Sequence, residues 1–135
     1  MRKLTLILTT LIFSVMFSPS TSFAEWKKIG ENVDGDTHYV DFERIRKHDG
    51  YVYFWHLSDY GKPNSGGYWS EKTYMQIDCK KFRYKLLNVV YHKGPMGEGT
   101  IVVSSTKPAE EWYYPSPDTS GAKVLNRVCK YSENL

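Results

Sequence analysis

Two hydrophobic patterns divide the chain. Residues 4–17 form an almost unbroken apolar run, whereas from residue 25 onward apolar positions are interleaved with polar ones. Up to about residue 105 the interleaving has a period of two, which places alternate side chains on opposite faces of a strand. After residue 120 the period lengthens toward that of a helix.

The two-residue pattern predicts strands over 26–29, 38–42, 50–60, 68–79, 81–91 and 99–105. In 50–60, Tyr51, Tyr53, Trp55 and Leu57 share one face and Val52, Phe54 and His56 the other, so both faces are partly apolar. In 68–79, Trp69, Thr73, Met75, Ile77 and Cys79 oppose Ser70, Lys72, Gln76 and Asp78, with Tyr68 and Tyr74 on the polar side. In 81–91, Phe82, Tyr84, Leu86 and Val90 oppose Arg83, Lys85, Leu87, Val89 and Tyr91. Residues 43–47 read as a short helical turn. Turn chemistry punctuates the strands: residues 32–36, Asp49-Gly50, the Pro63-containing glycine-rich loop 61–67, and Gly94-Pro95 with Gly97.

Each strand has a plausible hairpin partner in its neighbour. The expected fold is therefore α+β, a curved, mostly antiparallel sheet of about five to six strands. Residues 107–117, with Pro108, Pro115 and Pro117, are irregular. Residues 120–131 are helical, with Ala122, Leu125, Val128 and Cys129 on one side and Thr119 or Ser120 as N-cap. That side packs on one face of the sheet.

The leading apolar run changes what counts as the folded unit. Arg2 and Lys3 precede it, and Ser22-Phe23-Ala24 closes it with a cleavage signature, so residues 1–24 read as a secretory signal peptide and 25–135 as a single domain. The run is shorter than the roughly 20 residues that span a bilayer, and no second run follows. The expected mature chain is soluble and exported, to the periplasm or beyond, with no transmembrane segment. The cleavage region holds no cysteine for lipid attachment.

Without the signal, 16 Lys and Arg face 15 Asp and Glu, and the formal charge falls from +3 to +1. A nucleic-acid partner loses its electrostatic basis. Only 3 of the 21 aromatic residues leave with the signal, so the excess of Tyr and Trp belongs to the folded domain.

Cys79 and Cys129 are the only cysteines, and an exported chain makes one intramolecular disulfide the default. Closing the 51-residue loop from Cys79 to Cys129 contributes roughly 4 kcal/mol on the chain-entropy model. The bridge would staple the helix to the sheet. An intermolecular bond or a free nucleophilic thiol is the alternative; no CxxC is present.

Catalytic signals are thin. His38, His48, His56 and His92 show no ligand-pair spacing, and no HExxH occurs. Ser104 and Ser105 lack a GxSxG elbow, and the glycines at 97 and 99 lack the Lys and Ser or Thr of a phosphate loop. No cofactor or metal is expected. Lys80, Lys81, Arg83 and Lys85 form the densest basic patch, interleaved with Phe82 and Tyr84; its ordinary reading is a solvated strand face. The surplus aromatics are the better clue, because one helix covers one side of a sheet and leaves the other to a partner, to self-association as a homodimer, or to the folded-back 110–117 segment. The candidate binding face is Tyr51, Tyr53, Trp55, Arg83, Tyr84, Lys85 and Trp112. The function expected is a non-enzymatic exported domain that recognises a protein or an anionic envelope or host component; the alternatives are a periplasmic hydrolase or thiol enzyme, and a structural or inhibitor module of the envelope.

The order of motifs resembles the surface-adhesin protein E-like domain of Gram-negative bacteria. The likeness is carried by Trp26, Tyr39-Val40-Asp41 with Ile45, Trp55, Ser70-Glu71-Lys72, Asp78-Cys79, the Gly97 hairpin, Trp112 and Pro115, and Val128-Cys129. It implies a small exported α+β unit with an antiparallel sheet, a packed helix and a disulfide. The adhesin of that family is outer-membrane associated, dimerises, and binds host proteins such as vitronectin, laminin and plasminogen. The resemblance maps no binding segment onto this chain residue by residue.

Overall fold

A computed structural model describes residues 25–135; the expected signal peptide, 1–24, lies outside the described residues. Among the described residues seven strands form one antiparallel sheet: β1 (Trp26–Glu31), β2 (Thr37–Asp41), β3 (Arg46–His48), β4 (Tyr51–Asp59), β5 (Ser70–Asp78), β6 (Arg83–His92) and β7 (Ile101–Ser105). The order across the sheet is β1-β2-β4-β5-β6-β7, and β3 continues the β2 edge along the first half of β4. One helix, α1 (Ser120–Ser132), packs on one face.

The extra strand is β3. Residues 43–47 were expected as a helical turn, but only Phe42–Arg44 makes a 3-10 turn. The chain then pairs back on β4 with His48 opposite Tyr51. The cause is the Asp49-Gly50 turn, whose two residues both have positive φ, 49° and 81°. That conformation matches the twist of a two-residue hairpin and extends pairing down both arms.

β4 and β5 are the central strands and read as their alternation predicts. Val52 and Phe54 of β4 and Met75 and Ile77 of β5 point to the helix side and are buried, joined by Val40, Ile45, Val124, Leu125 and Val128. Burial of each of these side chains contributes about 1.5–3 kcal/mol. β5 is shorter than expected, because Tyr68 and Trp69 lie outside it.

The face assignment in β6 is corrected beyond Leu86. A bulge opposite Tyr74 and Met75 inserts one residue, so Val89 pairs with Thr73 and Tyr91 with Glu71. Val89 and Tyr91 therefore share the helix side with Tyr84 and Leu86, and Val90 and His92 go to the other. A bulge of this kind re-aims every side chain after it.

Thr119 is the N-cap of α1, its hydroxyl accepting from the Ala122 N–H at 3.2 Å. The helix buries Ala122, Val124, Leu125 and Val128. Cys129 is bonded to Cys79, just past β5, with a Cα–Cα distance of 5.8 Å. The expected bridge between helix and sheet is present, and it leaves no free thiol.

Candidate functional site

The face of the sheet opposite α1 gathers six of the seven expected binding residues. Tyr51, Tyr53 and Trp55 project from β4 with Tyr74 of β5 beside them. The Tyr53 and Tyr74 rings lie 6.2 Å apart, and those of Trp55 and Tyr74 5.1 Å apart. Trp112 continues the row, its ring 5.6 Å from that of Tyr51.

Trp112 is held there by backbone pairing. The Tyr84 and Tyr113 N–H groups each donate to the other's carbonyl at 2.9 Å, and the Ala109 N–H donates to Leu86 at 2.8 Å. This short extra pairing along the start of β6 sends Trp112 to the aromatic face and Tyr113 to the other. The fold-back of 110–117, one of the alternatives for this face, thus occurs in part, with Trp112 alone of its three rings packing on the row.

Two cations lie over the Trp112 ring, the Arg83 guanidinium 4.3 Å and the Lys85 ammonium 4.7 Å from its centre. Attraction between cation and ring quadrupole favours this arrangement. Arg83 is fixed from below, its Nε donating to Asp78 Oδ2 at 3.0 Å. Burial alone would raise the pKa of Asp78, but the Lys81 N–H and the Arg83 charge outweigh it and hold the carboxyl below its ordinary value. Lys80 and Lys81, by contrast, are exposed and take no part in the stack.

Tyr84 does not join this face. It points to the helix side, 5.9 Å from the Tyr113 ring, because β6 alternation separates it from Arg83 and Lys85. At the far end, Trp26, Arg44, Trp55, Lys72 and His92 line a depression of about 260 Å³. Arg44 there pairs with buried Asp41 at 3.2 Å. Trp26, Tyr74, Arg44 and Lys72 extend the face beyond the expected set. Tyr74 was signalled by its strand parity, whereas Trp26 reaches the face through the β1–β2 pairing and Arg44 from the 3-10 turn that follows β2.

Tyr84 instead lines a second feature, a cavity of about 320 Å³ between the sheet and the start of α1. Its polar end holds His38, His56, Ser58, Glu71 and Tyr91. The two imidazoles are stacked, centroids 5.1 Å apart, and His38 Nδ1 lies 3.0 Å from His56 Nε2. Burial, then the neighbouring His38, lowers the His56 pKa to about 3. Burial raises the pKa of Glu71 against the hydroxyl hydrogen bonds of Tyr60 and Tyr91. Strand spacing gave no signal for this cavity, since its residues come from β2, β4, β5, β6 and α1.

Among the described residues no group of three or more His, Cys, Asp or Glu is placed to hold a metal ion. Ser104 and Ser105 are exposed on β7. With both cysteines in the disulfide, the thiol-enzyme alternative has no nucleophile.

A seven-stranded antiparallel sheet with one helix stapled to its inner face and an aromatic, cation-bearing outer face defines a small disulfide-bonded α+β domain. Residues 26–130 match the family model described as Surface-adhesin protein E, and the chain belongs to that family. A crystal form of Haemophilus influenzae protein E superimposes with a TM-score of 0.61 at 18% identity, covering 82% of this chain and 91% of that one. Protein E from non-typeable Haemophilus influenzae gives a TM-score of 0.56 at 17% identity, covering 85% and 82% of the two chains. At this identity the likeness carries the fold. No curated protein is significantly similar in sequence.

Proposed function

We propose that this chain is an exported, envelope-associated binding domain whose contact surface is the aromatic face of the sheet. Membership of the surface-adhesin family and the apolar leader support the location. The observation that carries the reading is the row Trp55, Tyr74, Tyr53, Tyr51 and Trp112, half-buried on the side away from α1 and flanked by Arg83 and Lys85. Rigid aromatic rings bury large area at low entropy cost, and Arg enriches the same kind of surface. The partner is a protein surface that sets acidic groups against Arg83 and Lys85. Among the described residues no helix is long and apolar enough to cross a membrane.

The test is capture of envelope and host-matrix components on the immobilised disulfide-bonded protein. Trp55→Ala with Trp112→Ala should abolish specific capture, and Tyr84→Phe, on the other face, should leave it intact. Equal capture by all three proteins would refute this surface.

A further inference from the structure

The cavity under α1 plays no part in the aromatic face, and its composition is specific. Its wall is apolar at one end, where Met75, Leu86, Val89 and Leu125 meet, and polar at the other. Glu71 is the one carboxylate that lines it, and no lysine or arginine lines it among the described residues. The hydroxyls of Tyr60 and Tyr91 hydrogen-bond to Glu71, and the charge of Asp36 adds to the negative field. The imidazoles supply no counter-charge, because burial lowers the pKa of both His38 and His56. Nε2 of His38 is buried without a hydrogen-bond partner. A carboxylate in such a setting is costly unless a cation joins it.

We propose that this cavity is a binding site for a small organic amine, whose ammonium group docks on the Glu71 carboxylate while its apolar body lies on Met75, Leu86, Val89 and Leu125. The volume of about 320 Å³ is at the small end of the range for such sites. The Tyr91 and Tyr84 rings in its wall add faces that a cation favours. Docking returns the Glu71 carboxyl to its ionised form, so any proton it holds is released. Gly121, in the first turn of α1, stands at the mouth; a side chain added there meets nothing closer than 3.8 Å.

The experiment is an NMR titration of the isotope-labelled, disulfide-bonded protein near neutral pH with 2-phenylethylamine and with its neutral isostere 2-phenylethanol. The amine should shift the amides of Glu71, Val89, Gly121 and Leu125, and bind at least about fivefold more tightly than the alcohol. Glu71→Gln should weaken the amine about tenfold and erase its preference over the alcohol. Gly121→Phe, which puts a ring at the mouth and improves the helix, should abolish both while the protein stays folded. Equal affinity for amine and alcohol would overturn the proposal. So would unchanged binding in both folded variants, shifts confined to Tyr53, Trp55 and Trp112, or no shift at all at millimolar amine.

Discussion

His56 shows how one side chain sets an acid limit for the whole fold. In the native state its Nε2 lies against His38 Nδ1, and its pKa falls from 6.5 to about 3. The unfolded chain takes up that proton near pH 6.5, whereas the folded chain resists until about pH 3. Between those values the unfolded state binds more protons, so stability drops as pH falls, by up to about 1.4 kcal/mol per pH unit. His38, also lowered by burial, acts in the same direction. Glu71 acts oppositely: its raised folded pKa means that the native state takes up a proton first as pH falls. Urea midpoints should therefore drop from pH 7.5 to pH 5, and His56→Gln should flatten that dependence; a variant with the parental slope would place the titration elsewhere. None of this was legible in the chain, since the two histidines stand 18 residues apart and meet only through the β2–β4 register. The Asp49-Gly50 turn was legible, because its chemistry is local.

At the scale of elements, periodicity succeeded where the backbone is regular and failed where it is interrupted. β4 and α1 follow their patterns almost to the residue: Phe54 was readable as sharing a face with Val52, Leu125 as lying on the apolar side of its helix, and Thr119 as a cap. The bulge in β6 left no comparable mark, since Leu87, Val89 and Val90 fit either face by composition. β3 was hidden for a related reason. Arg46, Lys47 and His48 are all exposed, so they show no alternation, and only their pairing with β4 makes them a strand. The helix start can be tested directly. The Thr119 hydroxyl satisfies the Ala122 N–H, one of the N–H groups that a helix start leaves without a helical partner. Thr119→Ala should lower stability by about 1 kcal/mol in denaturant unfolding, and Thr119→Ser should restore most of it. If alanine costs nothing, Ser120 or water fills the cap instead.

The whole molecule is a sheet with two unlike sides, and the disulfide belongs to one of them. The aromatic face is built by β4, β5, the start of β6 and the Trp112 segment, whose positions depend on strand hydrogen bonds. The cavity needs α1 as a wall, because Gly121, Val124 and Leu125 close it. Cys129 is on that helix and Cys79 follows β5, so the bond ties the wall to the sheet across 50 residues of chain. Replacing both cysteines by serine should cost about 2–4 kcal/mol, the usual range for a bond closing a loop of this size. The loss should not be uniform, since local opening follows the least-anchored element. Hydrogen exchange in the double-serine variant should show amides of α1 opening first while those at Phe54 and Met75, paired across the sheet centre, stay protected. Amine binding in the cavity should weaken with the helix, whereas the fluorescence of Trp55 and Trp112 on the far face should hold until global unfolding. If α1 and the β4–β5 pair lose protection together, the two faces are one cooperative unit, and the bond stabilises the fold without governing the cavity separately.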